Sequence, residues 1–477
     1  MSWLVNAIHG FGLFVIVYFT LLNGLYLLFT AIAWRQIVRH RRRREYLGIE
    51  EVFASPLTPP ISVILPAFNE EEWVVDTVRS LLRLRYPEFE VIVIDDGSTD
   101  GTPELLAEAY ELIEVTRAIR DDVPHQPIER VCASRSNPEL LVVRKRNGGS
   151  KADALNAGLN VARFPYICVI DADEVLERDG LLRVARPMLD DPEGIVATGG
   201  IVRIANGCTI EDGEVLDVRL PRSRLATLQV VEYFRSFLAG RVAWSAIDSL
   251  LIVSGAWGLF NRRAVIEAGG YEPAAIGEDI ELVMRLHKQR RGRGQPCRVV
   301  YTPEVVVWTE VPEDFAGLAG QRRRWQRGLA DTLWRHRAMT LNPRYGLIGL
   351  LGMPFFILFE LLGCLVELIG YVMIPVATLL GVLELRLAIA FAVVALLLGV
   401  LQTVAALAAV EFSYRRHTRN RDALRMFLYA FVDNLGYRQL LAWWRLQAFW
   451  DLARGERGWG TIARQGAVKA GSSRTRP

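Results

Sequence analysis

Tyr166-Ile167-Cys168-Val169-Ile170-Asp171-Ala172-Asp173 is an uninterrupted apolar run that ends in two acids separated by one small residue. A short run of this kind, rich in β-branched residues, reads as a strand buried on both faces, as in a sheet of parallel strands covered by helices. Two similar runs precede it. Ile61-Ser62-Val63-Ile64-Leu65-Pro66 leads into Ala67-Phe68-Asn69-Glu70-Glu71-Glu72 and a helical pattern through Leu82, and Val91-Ile92-Val93-Ile94 ends in Asp95-Asp96-Gly97-Ser98. Strands alternating with helices predict an α/β domain. In open α/β sheets ligands sit outside the carboxyl ends of the strands, where both acidic clusters fall.

Carboxylates at 95–96 and 171–173 are hard oxygen ligands, suited to a divalent cation and to the sugar or base of a nucleotide. Asp171 and Asp173 flank one small residue, so a loop can turn both toward one ion, although acidic residues are also common in solvated turns. Arg144-Lys145-Arg146-Asn147-Gly148-Gly149-Ser150-Lys151 is a basic, glycine-loosened loop ahead of a helical Ala152–Leu159. It lacks P-loop spacing, yet a basic loop at a helix N-terminus can hold phosphates. Further on, Ser254-Gly255-Ala256-Trp257-Gly258 offers close backbone approach beside an aromatic ring. Gly277-Glu278-Asp279 then opens an amphipathic helix with a carboxylate pair, which dipole compensation also explains. Gln321-Arg322-Arg323-Arg324-Trp325-Gln326-Arg327 stands directly before an apolar zone, where a basic stripe and an anchoring tryptophan suit a membrane surface.

The chain of 477 residues is 51% apolar with mean hydropathy +0.20, which excludes disorder, collagen-like repeats and a disulfide-stapled domain. A net charge of +3 argues against nucleic acid as partner, and five scattered cysteines with six unclustered histidines argue against structural zinc. Phe11 to Ala33 carries no charge and is followed by Arg35, Arg39 and the Arg41-Arg42-Arg43-Arg44 run. The apolar length suffices for a span, and the basic flank places the chain beyond Arg35 in the cytoplasm. A second zone runs from Gly346 to Leu383 with only Glu360 and Glu367 charged, and Leu387 to Val410 follows with no charge. The first stretch exceeds one bilayer crossing and must break, with Pro354 and Pro375 as candidate breakpoints. The expected arrangement is an interfacial or re-entrant piece near 346–360 and spans near 362–383 and 387–410. Leu424 to Trp450 reads as an amphipathic interfacial helix, or else as a polar-lined span facing a pore.

Taken together, Asp95-Asp96-Gly97, Asp171-Ala172-Asp173, Gly277-Glu278-Asp279 and Gln321-x-x-Arg324-Trp325 resemble, in order and spacing, the processive family 2 membrane glycosyltransferases that make cellulose, hyaluronan and poly-β-1,6-N-acetylglucosamine. The resemblance runs from about Pro60 to the end of the third apolar run. It implies a GT-A-like cytoplasmic domain with a mostly parallel sheet, inserted between transmembrane and interfacial helices, in a multi-pass protein of the inner (plasma) membrane. It implies inverting transfer from a UDP-sugar, UDP-GlcNAc or UDP-glucose, to a growing glycan or a lipid acceptor, with Mg²⁺ or Mn²⁺ as cofactor and membrane lipids or export subunits as partners. By the same resemblance Pro66, Asn69, Glu70, Asp95 and Asp96 are donor-nucleotide residues, with Lys151, Asp171 and Arg324 on the diphosphate side. Asp171 and Asp173 are the metal ligands, Asp279 is the general base with Glu278 beside it, and Gln321 and Trp325 face the acceptor; Trp257 and Gly255, read from the close backbone approach beside an aromatic ring, are further acceptor candidates. The Thr usual before Glu-Asp is Gly277 here. Trp459-Gly460-Thr461 with Arg464 is similar to a substrate-gating tail.

The domain organisation expected on this basis is a transmembrane helix at 1–34, a basic linker at 35–59 and the glycosyltransferase domain at 60–310. Interfacial helices at 311–345, transmembrane or re-entrant helices at 346–411, an amphipathic segment at 412–451 and a tail at 452–477 complete it. Two other functions fit less of the pattern: a single-transfer glycolipid synthase, and a non-catalytic membrane scaffold, which would have no need of Asp279.

Overall fold

A computed structural model describes residues 2–46, 49–211, 214–414 and 420–455. Its centre is a ten-stranded sheet built from β1 (Ile61–Ala67), β2 (Phe89–Asp95), β3 (Leu112–Glu114), β4 (Ile128–Ser134), β5 (Leu140–Lys145), β6 (Tyr166–Ile170), β7 (Val175–Leu176), β8 (Ile195–Ile204), β11 (Trp257–Asn261) and β12 (Arg298–Thr309). The short β9 (Thr209–Glu211) and β10 (Glu214–Asp217) form a separate hairpin. The strand order is β3-β4-β5-β2-β1-β6-β11-β8-β12-β7.

The apolar runs become strands because both faces are covered. Ile64, Ile92, Ile167 and Val169 join the core on one side of the sheet. Their neighbours Val63, Leu65, Val91, Val93, Cys168 and Ile170 join the core on the other, as the two-residue period of a strand requires. The sheet is parallel across β5-β2-β1-β6 and between β8 and β12. It is mixed overall, because β11 runs antiparallel to both β6 and β8, and the β3-β4-β5 edge is antiparallel. The parallel part delivers the ends of β1, β2 and β6, with their acids, to one rim.

Among the described residues two helices are long and apolar enough to cross a membrane, Gly10–Arg42 and Leu385–Ala409, and the bent pair Ile348–Leu361 and Gly363–Leu379 makes a third candidate. The bend of 42° falls at Leu362 and not at either expected proline. Pro354 sits at the start of a helical turn, where its missing N–H is harmless, and Pro375 is carried inside an unbroken helix. Wide π-type turns over Phe356–Leu361 precede the bend.

The segment expected as one amphipathic helix is two, Asn420–Val432 and Arg438–Ala453, divided where Gly436 takes φ 115° and Leu435 leaves helical geometry. Its polar residues meet protein partners. Asp433 is fully buried against Arg235, Asp451 accepts from Arg323 Nε at 2.7 Å, and Arg445 Nε donates to Gln326 Oε1 at 2.9 Å.

Candidate active site

The loop after β1 is tied to the loop after β2 by local hydrogen bonds. Asn69 N donates to Ser98 Oγ at 3.0 Å, Thr99 N donates to Asn69 Oδ1 at 2.8 Å, and Glu70 N donates to Thr102 Oγ1 at 2.9 Å. These bonds hold Pro66, Asn69 and Glu70 at the rim of a single cavity, where Asp96 also lies. Asp95, expected beside it on the donor, is turned away. It is buried, accepts the Ser98 N–H at 2.8 Å and lies outside the cavity lining, so it fastens the turn. Alternation along the strand end puts one of two adjacent acids into the fold and the other at the rim.

Asp96 is anchored by Lys145, whose ammonium contacts its carboxylate, lies 2.5 Å from Asp153 and has no solvent exposure. Burial raises the Asp96 pKa even against the Lys145 charge and the Gly148 N–H bond that oppose it.

At the end of β6, carboxylate oxygens of Asp171, Asp173 and Glu174 lie within 4.8 Å of one another. Glu174 is 3% exposed, and its Oε2 has no hydrogen-bond partner among the described residues. Burial, then the charges of Asp173 and Asp171, push its pKa well above the usual carboxylate range. Three clustered oxygens with one buried and unsatisfied are what a hard divalent cation fits. The sequence carries a signal for Glu174, an acid directly after Asp-Ala-Asp, which the pair alone passes over.

Lys151, the first residue of the capped helix Lys151–Val161, pairs with Asp171, lies 3.6 Å from Glu278 and donates to the Gly255 carbonyl at 2.9 Å. Glu278 and Asp279 open the helix Glu278–Gly292. Burial pushes the Glu278 pKa up to about 7, with Lys151 opposing and Asp279 adding to the rise. Gly255 approaches the pair closely, since a Cβ there would lie 3.2 Å from Asp279 Oδ2. Trp257 is a correction: it is 1% exposed within β11, packed in the core and absent from the cavity wall, because the strand sends its ring into the sheet's interior.

The helix Phe315–Arg335, capped by Asp314, brings Gln321, Arg324 and Trp325 to the same cavity. Arg322 packs over the Trp325 ring at 4.2 Å and pairs with Glu232 at 2.8 Å, a contact across 90 residues of chain that no motif announces. Gln326 donates to the Leu361 carbonyl at 3.0 Å, which links this helix to the bend between the apolar helices.

The cavity holds about 1940 Å³. Asp96, Asp171, Asp173, Glu278, Asp279 and Trp325 line one part, and Glu367, Tyr371, Phe391 and Arg438 line another, between the apolar helices. Trp459 and Thr461 lie outside the described residues.

A GT-A-like sheet with acids at the ends of β2 and β6, facing a carboxylate pair and an aromatic helix, defines a glycosyltransferase of membrane-associated type. The chain belongs to glycosyl transferase family group 2, whose profile matches residues 166–407, and the profile of glycosyl transferase family 2 matches residues 62–214. It is 26% identical over 339 residues to the poly-beta-1,6-N-acetyl-D-glucosamine synthase of Staphylococcus aureus strain COL, covering 71% of this chain and 68% of that protein. It is 29% identical over 284 residues to the synthase of the same name from Staphylococcus epidermidis, covering 60% of this chain and 58% of that one. The fold is similar to that of the mannosyltransferase PcManGT from Pyrobaculum calidifontis, solved in complex with GDP-Man and Mn²⁺, with TM-score 0.50 and 19% identity over 87% of this chain and 99% of that one. The chain is therefore a family 2 glycan-synthase-like glycosyltransferase.

Proposed function

We propose that the protein is an inverting synthase that extends a β-linked polysaccharide from UDP-GlcNAc and passes the product through the membrane. The observation that carries this reading is the single cavity joining the acids of the sheet rim to polar side chains between the apolar helices. A one-step transferase has no use for Glu367 and Arg438 beyond the reaction centre, and ionisable groups among apolar helices are costly to keep without a function. UDP-GlcNAc, in preference to UDP-glucose, follows from the named activity of the relatives in Staphylococcus.

In this reading Pro66, Asn69, Glu70 and Asp96 hold the nucleoside. Asp171, Asp173 and Glu174 would hold Mg²⁺ or Mn²⁺, which supplies positive charge to the departing diphosphate. Lys151 and Arg324 add to that charge, so UDP leaves without needing a proton. Asp279 removes the proton from the acceptor hydroxyl as it attacks the anomeric carbon from the opposite face, a step for which general-base catalysis is worth about 10²–10⁴-fold. Trp325 offers a ring face to the acceptor sugar and Gln321 hydrogen-bonds it. In this reading the domain lies on the cytoplasmic side of the plasma (inner) membrane, which the basic flank of the first span supports.

The test is a donor screen on the purified protein in lipid nanodiscs with labelled UDP-GlcNAc or UDP-glucose, with the product sized. A long GlcNAc polymer supports the proposal. A single sugar on lipid would replace it with glycolipid synthesis, and Asp279→Asn with substantial turnover would remove the base assignment.

A further inference from the structure

The chain has four lysines among its 56 basic residues, Lys145, Lys151, Lys288 and Lys469. Two of the four stand in this one site, each lodged between two carboxylates: Lys145 between Asp96 and Asp153, and Lys151 between Asp171 and Glu278. Where a cation has only to grip a carboxylate, arginine does it in two-point fashion, and this chain uses arginine almost everywhere. A lysine ammonium is a compact point charge on a flexible stem and can change partners by small rotations.

The surroundings of Lys151 suit such a change. Its side chain is 13% exposed, and its backbone is fixed at a helix start where Ser150 accepts the Asp153 N–H. Glu278 at 3.6 Å and the Gly255 carbonyl at 2.9 Å are both within reach of the ammonium that contacts Asp171. Asp171 belongs to the three-carboxylate cluster whose Glu174 Oε2 is buried without a partner among the described residues. Such a cluster needs positive charge near it at all times.

We infer that Lys151 is the internal counter-cation of the metal site: its ammonium holds Asp171 while the site is empty and swings to Glu278, keeping its bond to the Gly255 carbonyl, when a divalent cation takes that carboxylate. The lysine thus competes with the metal for one ligand, and the same displacement ties cation loading to the acid beside Asp279. The inference rests on the reading of Asp171 and Asp173 as the cation site.

The experiment measures Mn²⁺ binding to the purified full-length protein without any nucleotide, by the loss of the free-ion electron paramagnetic resonance signal. Competition predicts that Lys151→Met binds Mn²⁺ about tenfold more tightly than wild type, and that Lys151→Arg, with a two-point grip on Asp171, binds it more weakly. Lys151→Gln carries the same prediction as Met should the Met variant be unstable. A gain in affinity cannot arise from damage to the fold. Lys151→Met binding Mn²⁺ no better than wild type, while Asp173→Asn abolishes binding, overturns the inference and leaves the cation site standing. Asp173→Asn binding like wild type overturns the site itself.

Discussion

Gly328 offers a graded test of whether the acceptor helix and the acid pair form one reaction centre. It lies three residues beyond Trp325 on the helix Phe315–Arg335, against the backbone of Gly277, which immediately precedes Glu278 and Asp279. A Cβ built on Gly328 would sit 3.3 Å from Gly277 N and 3.4 Å from its Cα. Gly328→Ala therefore requires a shift of only a few tenths of an ångström, and it gains up to about 1 kcal/mol of helix propensity. Gly328→Val adds methyl groups that meet backbone unable to rotate away, so contact near ~3.5–4.0 Å is restored only if the two segments part by roughly 1 Å. A misplacement of that size costs about 10²-fold in rate. Single-turnover transfer and UDP binding by calorimetry should both be measured in nanodiscs. The alanine variant should keep nearly full rate, and the valine variant should lose about 100-fold while its UDP affinity falls far less, because every donor residue except Arg324 lies on another element. A valine variant with wild-type rate would refute the placement, as would one whose UDP affinity falls in step with its rate.

Lys145→Met leaves Asp96 and Asp153 buried without their shared cation. It should destabilise the domain by about 3–5 kcal/mol, seen as a lower melting temperature, and weaken UDP binding. Glu278 has its folded pKa raised to about 7, so its contribution to stability is full below the ordinary glutamate range and fades as pH rises through 7. Glu278→Gln should therefore gain in melting temperature relative to wild type at pH 8 and show little difference at pH 4; an equal gain at both would contradict the assignment. Trp257→Phe should leave the acceptor KM unchanged, since the ring is buried and its Nε1 has no partner among the described residues.

The strands that carry the donor acids are legible in the sequence because burial on both faces writes an unbroken apolar run. The pairing of Lys151 with Asp171 and Glu278 is not legible, since those contacts span distant parts of the chain. The stretch 116–138 is polar and irregular in sequence, yet it contains β4, which pairs with β3 on one side and β5 on the other. Of its seven residues only Val131 and Ser134 are buried, so no apolar run marks it as a strand. Trp257 resembles an acceptor residue because glycines stand near it, but Gly255 belongs to the approach to a buried strand and Gly258 to the strand itself. Proline marks the wrong break among the apolar helices, since a membrane helix tolerates proline when its neighbours satisfy the freed backbone group.

If the product leaves through the cavity between the apolar helices, the growing chain must pass Tyr371. Tyr371 and Val372 are adjacent on the helix Gly363–Leu379, and both are exposed, but only Tyr371 lines the cavity. A photo-cross-linking amino acid placed at each position in turn, in protein actively incorporating labelled sugar, reads the path of the glycan. The label should attach at Tyr371 and not at Val372, and only when Asp279 is intact. Equal capture at both positions, or none at Tyr371 during active synthesis, would mean that the glycan takes another route.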